Sequence, residues 1–412
     1  MGKTRIEEWT QLRGFAFLAI VMQHNIAEYI YRPDIEQPDS IMLAMIYHLT
    51  RFGTPTFVFL SGVLLFYHHR HAKPDYGRFI RKRFGDIFVP FIVWTGIYWI
   101  AVRIFTPQFW QADSLDVTSL LRELVIPQTG YHLWFIIMIF QFYLLFPLFL
   151  KGTDLIEQRI SAARRLSRGK WVALLVLAAA ACYALLMKWS YYDMAGWTAA
   201  WSRPWSFLLE YRSYSWMMYW FYFVLGAVCA WSVDDWRHRT VRALPYTICV
   251  FIGMYVWLGY DVLRGSGETM NLNISTYLKP TTFVIIMAQM LMLYGFLVLL
   301  RGQNTRFQRL LAWIGRYSFG GYLVHALVIY GIAYVTRPLQ LAGWHLPMTL
   351  LSFVLTAVAA LGMSRGLSRL PGARYLTGLN KGNPSNSKRN RSNGEPTYGT
   401  PRSDRPVAKP YL

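Results

Sequence analysis

An arginine and a histidine stand eleven positions apart in Gln11-Leu12-Arg13-Gly14-Phe15-Ala16-Phe17-Leu18-Ala19-Ile20-Val21-Met22-Gln23-His24-Asn25. On a helix, eleven steps of about 100° return to within about 20° of the start, and eleven rises of about 1.5 Å separate the two levels by about 16 Å. Arg13 and His24 therefore share one stripe. Hydrocarbon expels a cation and a titratable ring on one face unless that face lines a polar cavity. Two further histidines fall inside apolar stretches: His132 in Tyr131-His132-Leu133-Trp134-Phe135 and His325 in Ser318-Phe319-Gly320-Gly321-Tyr322-Leu323-Val324-His325. A histidine can take the proton of a hydroxyl and hand it to a leaving group, which is what acyl transfer to an alcohol requires. Taken singly, each could instead bond a neighbouring helix; Arg13 on the stripe of His24 favours chemistry.

The elements that must hold these residues are membrane helices. Of 412 residues, 54% are hydrophobic and 15% charged, too apolar for a set of ordinary soluble domains. Apolar stretches recur at residues 12–30, 42–67, 86–106, 131–150, 171–188, 214–232, 243–262, 278–300, 313–335 and 348–365. Each is near the 20 or so residues a bilayer requires. The expectation is an all-α, polytopic membrane protein of about ten spans, the second long enough to tilt or to begin outside the hydrocarbon.

A formal net charge of +21 raises the question of nucleic acid, but the distribution speaks for topology. With the N-terminus inside, the four inner loops hold 18 lysines and arginines and the five outer loops hold 7. Both termini are therefore expected on the cytoplasmic side of a plasma membrane, with no nucleic-acid partner. Residues 1–366 read as one membrane-embedded domain. Residues 367–412 read as a basic, disordered cytoplasmic tail, polar from Asn380 onward. Cys182, Cys229 and Cys249 all lie in apolar spans, which argues against a disulfide framework or a metal site.

These motifs together resemble the acyltransferase-3 family of integral membrane acyltransferases, which O-acylate surface polysaccharides and other extracytoplasmic acceptors. Leu12-Arg13-Gly14 with His24 is similar to the family's arginine and histidine pair. Arg81-Lys82-Arg83-Phe84-Gly85-Asp86-Ile87-Phe88-Val89-Pro90 resembles its basic stretch entering the third span, and His132-Leu133-Trp134-Phe135 and Ser318 to His325 resemble two further signatures. Arg5-Ile6-Glu7-Glu8 is closer to the intercellular-adhesin succinyltransferase branch. The chain departs from the pattern at Thr10, where an acidic residue is frequent, and at Asp86, where a second arginine commonly follows Arg83 by three.

The resemblance implies a cytoplasmic acyl-coenzyme A donor, acetyl or succinyl, and a hydroxyl of a cell-surface glycan as acceptor. It makes His24 the catalytic base or a transient acyl carrier, and Arg13, Arg81 and Arg83 ligands for the donor. Glu28, His132, Trp134, Tyr322 and His325 would line the acceptor site or acyl tunnel. Glu28, one turn beyond His24, could orient the imidazole or simply face the outer interface. A polysaccharide exporter or proton-coupled transporter is the alternative; the lack of Asp or Glu deep within a span weighs against it.

Overall fold

A computed structural model describes residues 6–69, 75–105, 117–162, 167–197, 203–267 and 269–379. All regular structure among them is helical. Arg5 and residues 380–412 lie outside the described set. The helices are α1 (Glu7–Tyr29), α2 (Gln37–Leu49), α3 (Gly53–His69), α4 (Tyr76–Arg83), α5 (Val89–Phe105), α6 (Val117–Val125), α7 (Trp134–Ala162) and α8 (Arg168–Lys188). After them come α9 (Met194–Trp197), α10 (Arg203–Glu210), α11 (Trp220–Trp231), α12 (Val233–Gly265), α13 (Pro280–Leu299), α14 (Arg306–Thr336), α15 (His345–Leu367) and α16 (Ala373–Thr377).

Among the described residues, eight helical stretches are long and apolar enough to cross a membrane, against the ten expected. The two that fall short are α1 and α11. α11 has only twelve residues and is approached through short 3₁₀ turns. α1 has the length, but Glu7, Glu8, Gln11, Arg13, Gln23, His24 and Asn25 dilute its apolar character. The second apolar stretch breaks at Thr50–Phe52, where backbone turns separate α2 from α3. α8 and α12 bury few side chains and expose Leu174, Leu177, Val256 and Trp257, as helices facing lipid on most sides must.

α1 is the central element, and what positions it is close backbone contact. A methyl group added at Gly14 would lie 2.5 Å from the carbonyl oxygen of Leu311, and one at Gly315 would lie 1.9 Å from that of Thr10. Only glycine on both sides lets α1 and α14 approach this closely. Polar groups then fix the rotation of α1. Asn25, fully buried, donates to the Val21 carbonyl and accepts from the hydroxyls of Ser352 (2.6 Å) and Thr356 (3.3 Å) on α15. At the Glu7 end, the Glu8 carboxylate pairs with Arg237 at 2.6 Å.

α14 begins with a capping box, in which Thr305 and Gln308 bond each other's backbone N–H groups. At its other end, Arg32 donates to the carbonyl and hydroxyl of Thr336. Residues 368–379, expected to open the disordered tail, instead turn back onto the bundle as far as Leu379. Trp94 donates to the Leu376 carbonyl at 2.8 Å, and Arg374 pairs with Asp86 at 2.5 Å. Ala373 and Thr377 are buried and Leu376 half-buried, and they anchor this segment where composition alone reads a basic tail.

Candidate active site

His24, His132 and His325 come from three distant parts of the chain and meet. Their ring centroids are 4.7 Å apart for His132 and His325, 5.2 Å for His24 and His325, and 6.3 Å for His24 and His132. His132 and His325 are buried and His24 is half-buried. Tyr131 packs on His24 at 5.0 Å, and Tyr98 and Tyr322 both pack on His132.

Contacts to the backbone fix the segments that carry His132 and His325. His132 lies in a 3₁₀ turn, Tyr131–Leu133, whose approach is shaped by Glu123. The Glu123 carboxylate accepts from the N–H groups of Gln128 (2.8 Å) and Thr129 (3.0 Å) and from the Thr129 hydroxyl (2.9 Å). Tyr330 clamps the same loop by donating to the Thr129 carbonyl, and Tyr322 donates to the carbonyl of His132. His325 sits on the buried face of α14, where the Tyr98 hydroxyl donates to the carbonyl of Leu323 and accepts from the N–H of Leu327.

The ring of His325 carries a definite tautomer. Its Nδ1 lies 2.6 Å from the Tyr322 carbonyl, an acceptor only, so Nδ1 must donate and Nε2 holds the lone pair. That Nε2 and both ring nitrogens of His132 are buried without a well-formed hydrogen bond to a described residue. Three buried polar atoms in one cluster are unusual for packing alone, and they suit a substrate hydroxyl or thioester.

Toward the other end of α1 a cavity of about 250 Å³ is lined by Arg13, Arg83 and Arg316, with Phe57, Phe135, Ile136, Ile139, Tyr143 and Ser318 among its apolar and polar walls. Ile136 lies one helical turn from His132, and Ser318 two turns from His325, so the cavity ends within about 5–10 Å of the histidine cluster along the helices. Arg13 and His24 thus face the same interior stripe. The Arg83 guanidinium stands over the rings of Phe79 (5.4 Å) and Tyr143 (5.3 Å), with its Nε buried and without a hydrogen-bond partner. The backbone carrying it passes through a π-helical stretch, Phe84–Phe88, that leads into α5.

The other residues singled out in the sequence take different places. Arg81 is exposed and does not line the cavity. Glu28 is held by Arg32 (3.5 Å) and bidentately by Arg337 (2.9 Å to each oxygen), beside an open cavity of about 440 Å³ that also includes Asp34 and Gln340. Trp134 stacks on Tyr214 at 5.7 Å. Asp86, in the place where a second arginine is common, draws in Arg374.

Three cations or polar groups near this machinery escape sequence reasoning. Arg316 lines the cavity beside Arg13 from an exposed position at the edge of the ninth apolar stretch. Arg51 and His48 lie inside the second apolar stretch, 42–67, and are 7% and 0% exposed. An arginine within an apolar run is itself the signal, as it is for Arg13.

Neither a curated protein nor a solved structure matches the chain. The acyltransferase domain family matches it over residues 6–364, nearly the whole length. With Arg13, His24, His132 and His325 all inside that span and drawn to one interior stripe, the chain belongs to the acyltransferase-3 family of membrane acyltransferases.

Proposed function

We propose that the protein transfers an acyl group from cytoplasmic acyl-coenzyme A to a hydroxyl of an extracytoplasmic glycan at the plasma membrane, with His24 as the central base. The observation that carries this reading is the histidine cluster with an arginine-lined cavity about 5–10 Å farther along the helices that carry it. The excess of basic residues supports the Arg13 end as cytoplasmic and both termini as inside. Arg13, Arg83 and Arg316 then offer guanidinium groups to the phosphates of coenzyme A, which they can bind bidentately. The thioester would extend toward the histidines.

The acceptor hydroxyl enters from the opposite end. His24 takes its proton as the oxygen attacks the thioester carbonyl, and the proton leaves on the departing thiolate. The free Nε2 of His325 lies on the neighbouring ring and is suited to orient His24 or to share that proton. A covalent acyl-histidine is the two-step form of the same chemistry. Proton-coupled transport finds less support, because the carboxylate nearest in sequence to His24, Glu28, is already tied to Arg32 and Arg337.

The test is release of free coenzyme A by protein in nanodiscs, given acetyl- or succinyl-coenzyme A and a glucosamine oligomer. Wild type is expected to release it, and a folded His24→Ala protein is expected to fall by at least about 10³-fold. Equal release from the variant would remove His24 from the mechanism.

A further inference from the structure

Arg51 occupies the turn between α2 and α3, at the same end of the bundle as His24 and Glu28. It is 7% exposed and makes no ion pair with any carboxylate among the described residues. Its Nε donates to the Ser275 carbonyl at 2.7 Å, and its Nη1 to the Tyr47 hydroxyl at 3.1 Å. Its Nη2 donates to nothing described. The rings of Tyr277 and Tyr47 flank the guanidinium at 4.1 and 5.2 Å. Two carboxylates of this end are held elsewhere: Glu28 by Arg32 and Arg337, and Asp261 by Lys279 at 2.6 Å.

A buried guanidinium with neutral partners is costly, and packing does not require one here. Its relation to the reacting centre narrows the explanation. Tyr277, the ring beneath Arg51, directs its hydroxyl to Gln23 Oε1 at 3.3 Å, and Gln23 precedes His24 on α1. Arg51 therefore stands one tyrosine ring from Gln23, the residue beside the base on α1. That offset is too great for a direct contact with the carbonyl under attack, and it suits an anion carried a short chain beyond it. The planar fork of arginine matches a carboxylate, whereas the phosphates of coenzyme A have their own cations at the Arg13 end.

We propose that Arg51 is a specificity residue that binds a carboxylate borne by one of the two reactants at the His24 site. This rests on the acyl-transfer reading above. The carboxylate belongs either to a dicarboxylic acyl group of the succinyl kind or to an acidic sugar of the acceptor, and the experiment separates the two.

Coenzyme A release is measured for wild type, Arg51→Gln and Arg51→Lys with succinyl- and butyryl-coenzyme A, each with a neutral glucosamine oligomer and a uronic-acid oligomer. Wild type is expected to prefer the carboxylated reactant, and Arg51→Gln to lose about 10- to 100-fold of that preference while the neutral pair is processed as before. Loss in the succinyl-to-butyryl ratio assigns the carboxylate to the donor; loss in the uronic-to-neutral ratio assigns it to the acceptor. Arg51→Lys, which keeps the charge without the fork, is expected to lie between, and it stands in for Arg51→Gln should that protein not fold. Preferences unchanged in the folded variants overturn the proposal.

A second measurement does not depend on turnover. S-succinyl-pantetheine or glucuronate is expected to raise the melting temperature of wild type and not of the Arg51 variants, relative to S-butyryl-pantetheine or glucose. Equal shifts in all proteins overturn the assignment. A wild type that releases no coenzyme A with any pair defeats the acyl-transfer reading, and the melting comparison then decides Arg51 by itself.

Discussion

At the scale of single residues, His325 is the histidine whose protonation the backbone dictates. Because Nδ1 must donate to the Tyr322 carbonyl, Nε2 is fixed as an acceptor facing the cluster with His24 and His132. Such a group can steady a proton in flight but needs no movement to do so. His325→Ala is expected to lower kcat for coenzyme A release by about 10²- to 10⁴-fold, with donor KM changed far less, since the arginines proposed to hold the donor's phosphates lie at the other end. Steady-state kinetics beside a melting curve check this; a rise in KM alone would place His325 in binding. The pairing of Arg13 with His24 was legible from an eleven-residue spacing, because one helix obeys one period. The meeting of three histidines was not, because it depends on how α1, α7 and α14 pack. Arg51 carried the same signal as Arg13 but sits where two short helices read as one long apolar run.

At the scale of elements, the position of the stripe depends on how closely α1 and α14 approach. The Gly315→Ala methyl would sit 1.9 Å from the Thr10 carbonyl oxygen, so the helices must separate or bend. The expected cost is about 1–3 kcal/mol or more, as for overpacking in a tight interior. Gly331 on the same helix has open space at its Cβ position, so Gly331→Ala is expected to hold or slightly raise stability through helix propensity. Thermal unfolding of both proteins in one detergent tests the contrast, and equal effects would mean the close approach is not what holds the pair. The periodicity of the chain showed each helix. It could not show that Gly14 and Gly315, 301 positions apart, would face one another, since nothing local to Gly14 names Leu311 as its contact.

At the scale of the whole molecule, Arg13, Arg83 and Arg316 gather around a cavity at one end of α1, the three histidines lie farther along it, and Glu28 is held by Arg32 and Arg337 beyond them. Charge along the sequence assigns the loops to two sides only as an expectation of topology. Composition did not reveal that the chain after Leu367 returns to build the arginine-lined end. Thr377, Gly378 and Leu379 line the cavity together with Arg13 and Arg83, and the Asp86–Arg374 pair and the Trp94 bond hold them there. Gly378 adopts φ +66°, and a Cβ there would meet the Asp86 carbonyl oxygen at 2.5 Å, so the segment fits its seat without room for a side chain. A chain ending after Leu379 should therefore melt and bind donor as the full protein does, whereas one ending after Gly372 loses a wall of the cavity. The second truncation is expected to raise the KM for acyl-coenzyme A several-fold and to lower the melting temperature, with kcat at saturating donor retained because the histidines lie beyond the lost wall. Donor titrations of the two truncated proteins measure the difference. An unchanged KM after removal of residues 373–379 would show that the returning segment covers the cavity without contributing to its grip on the donor.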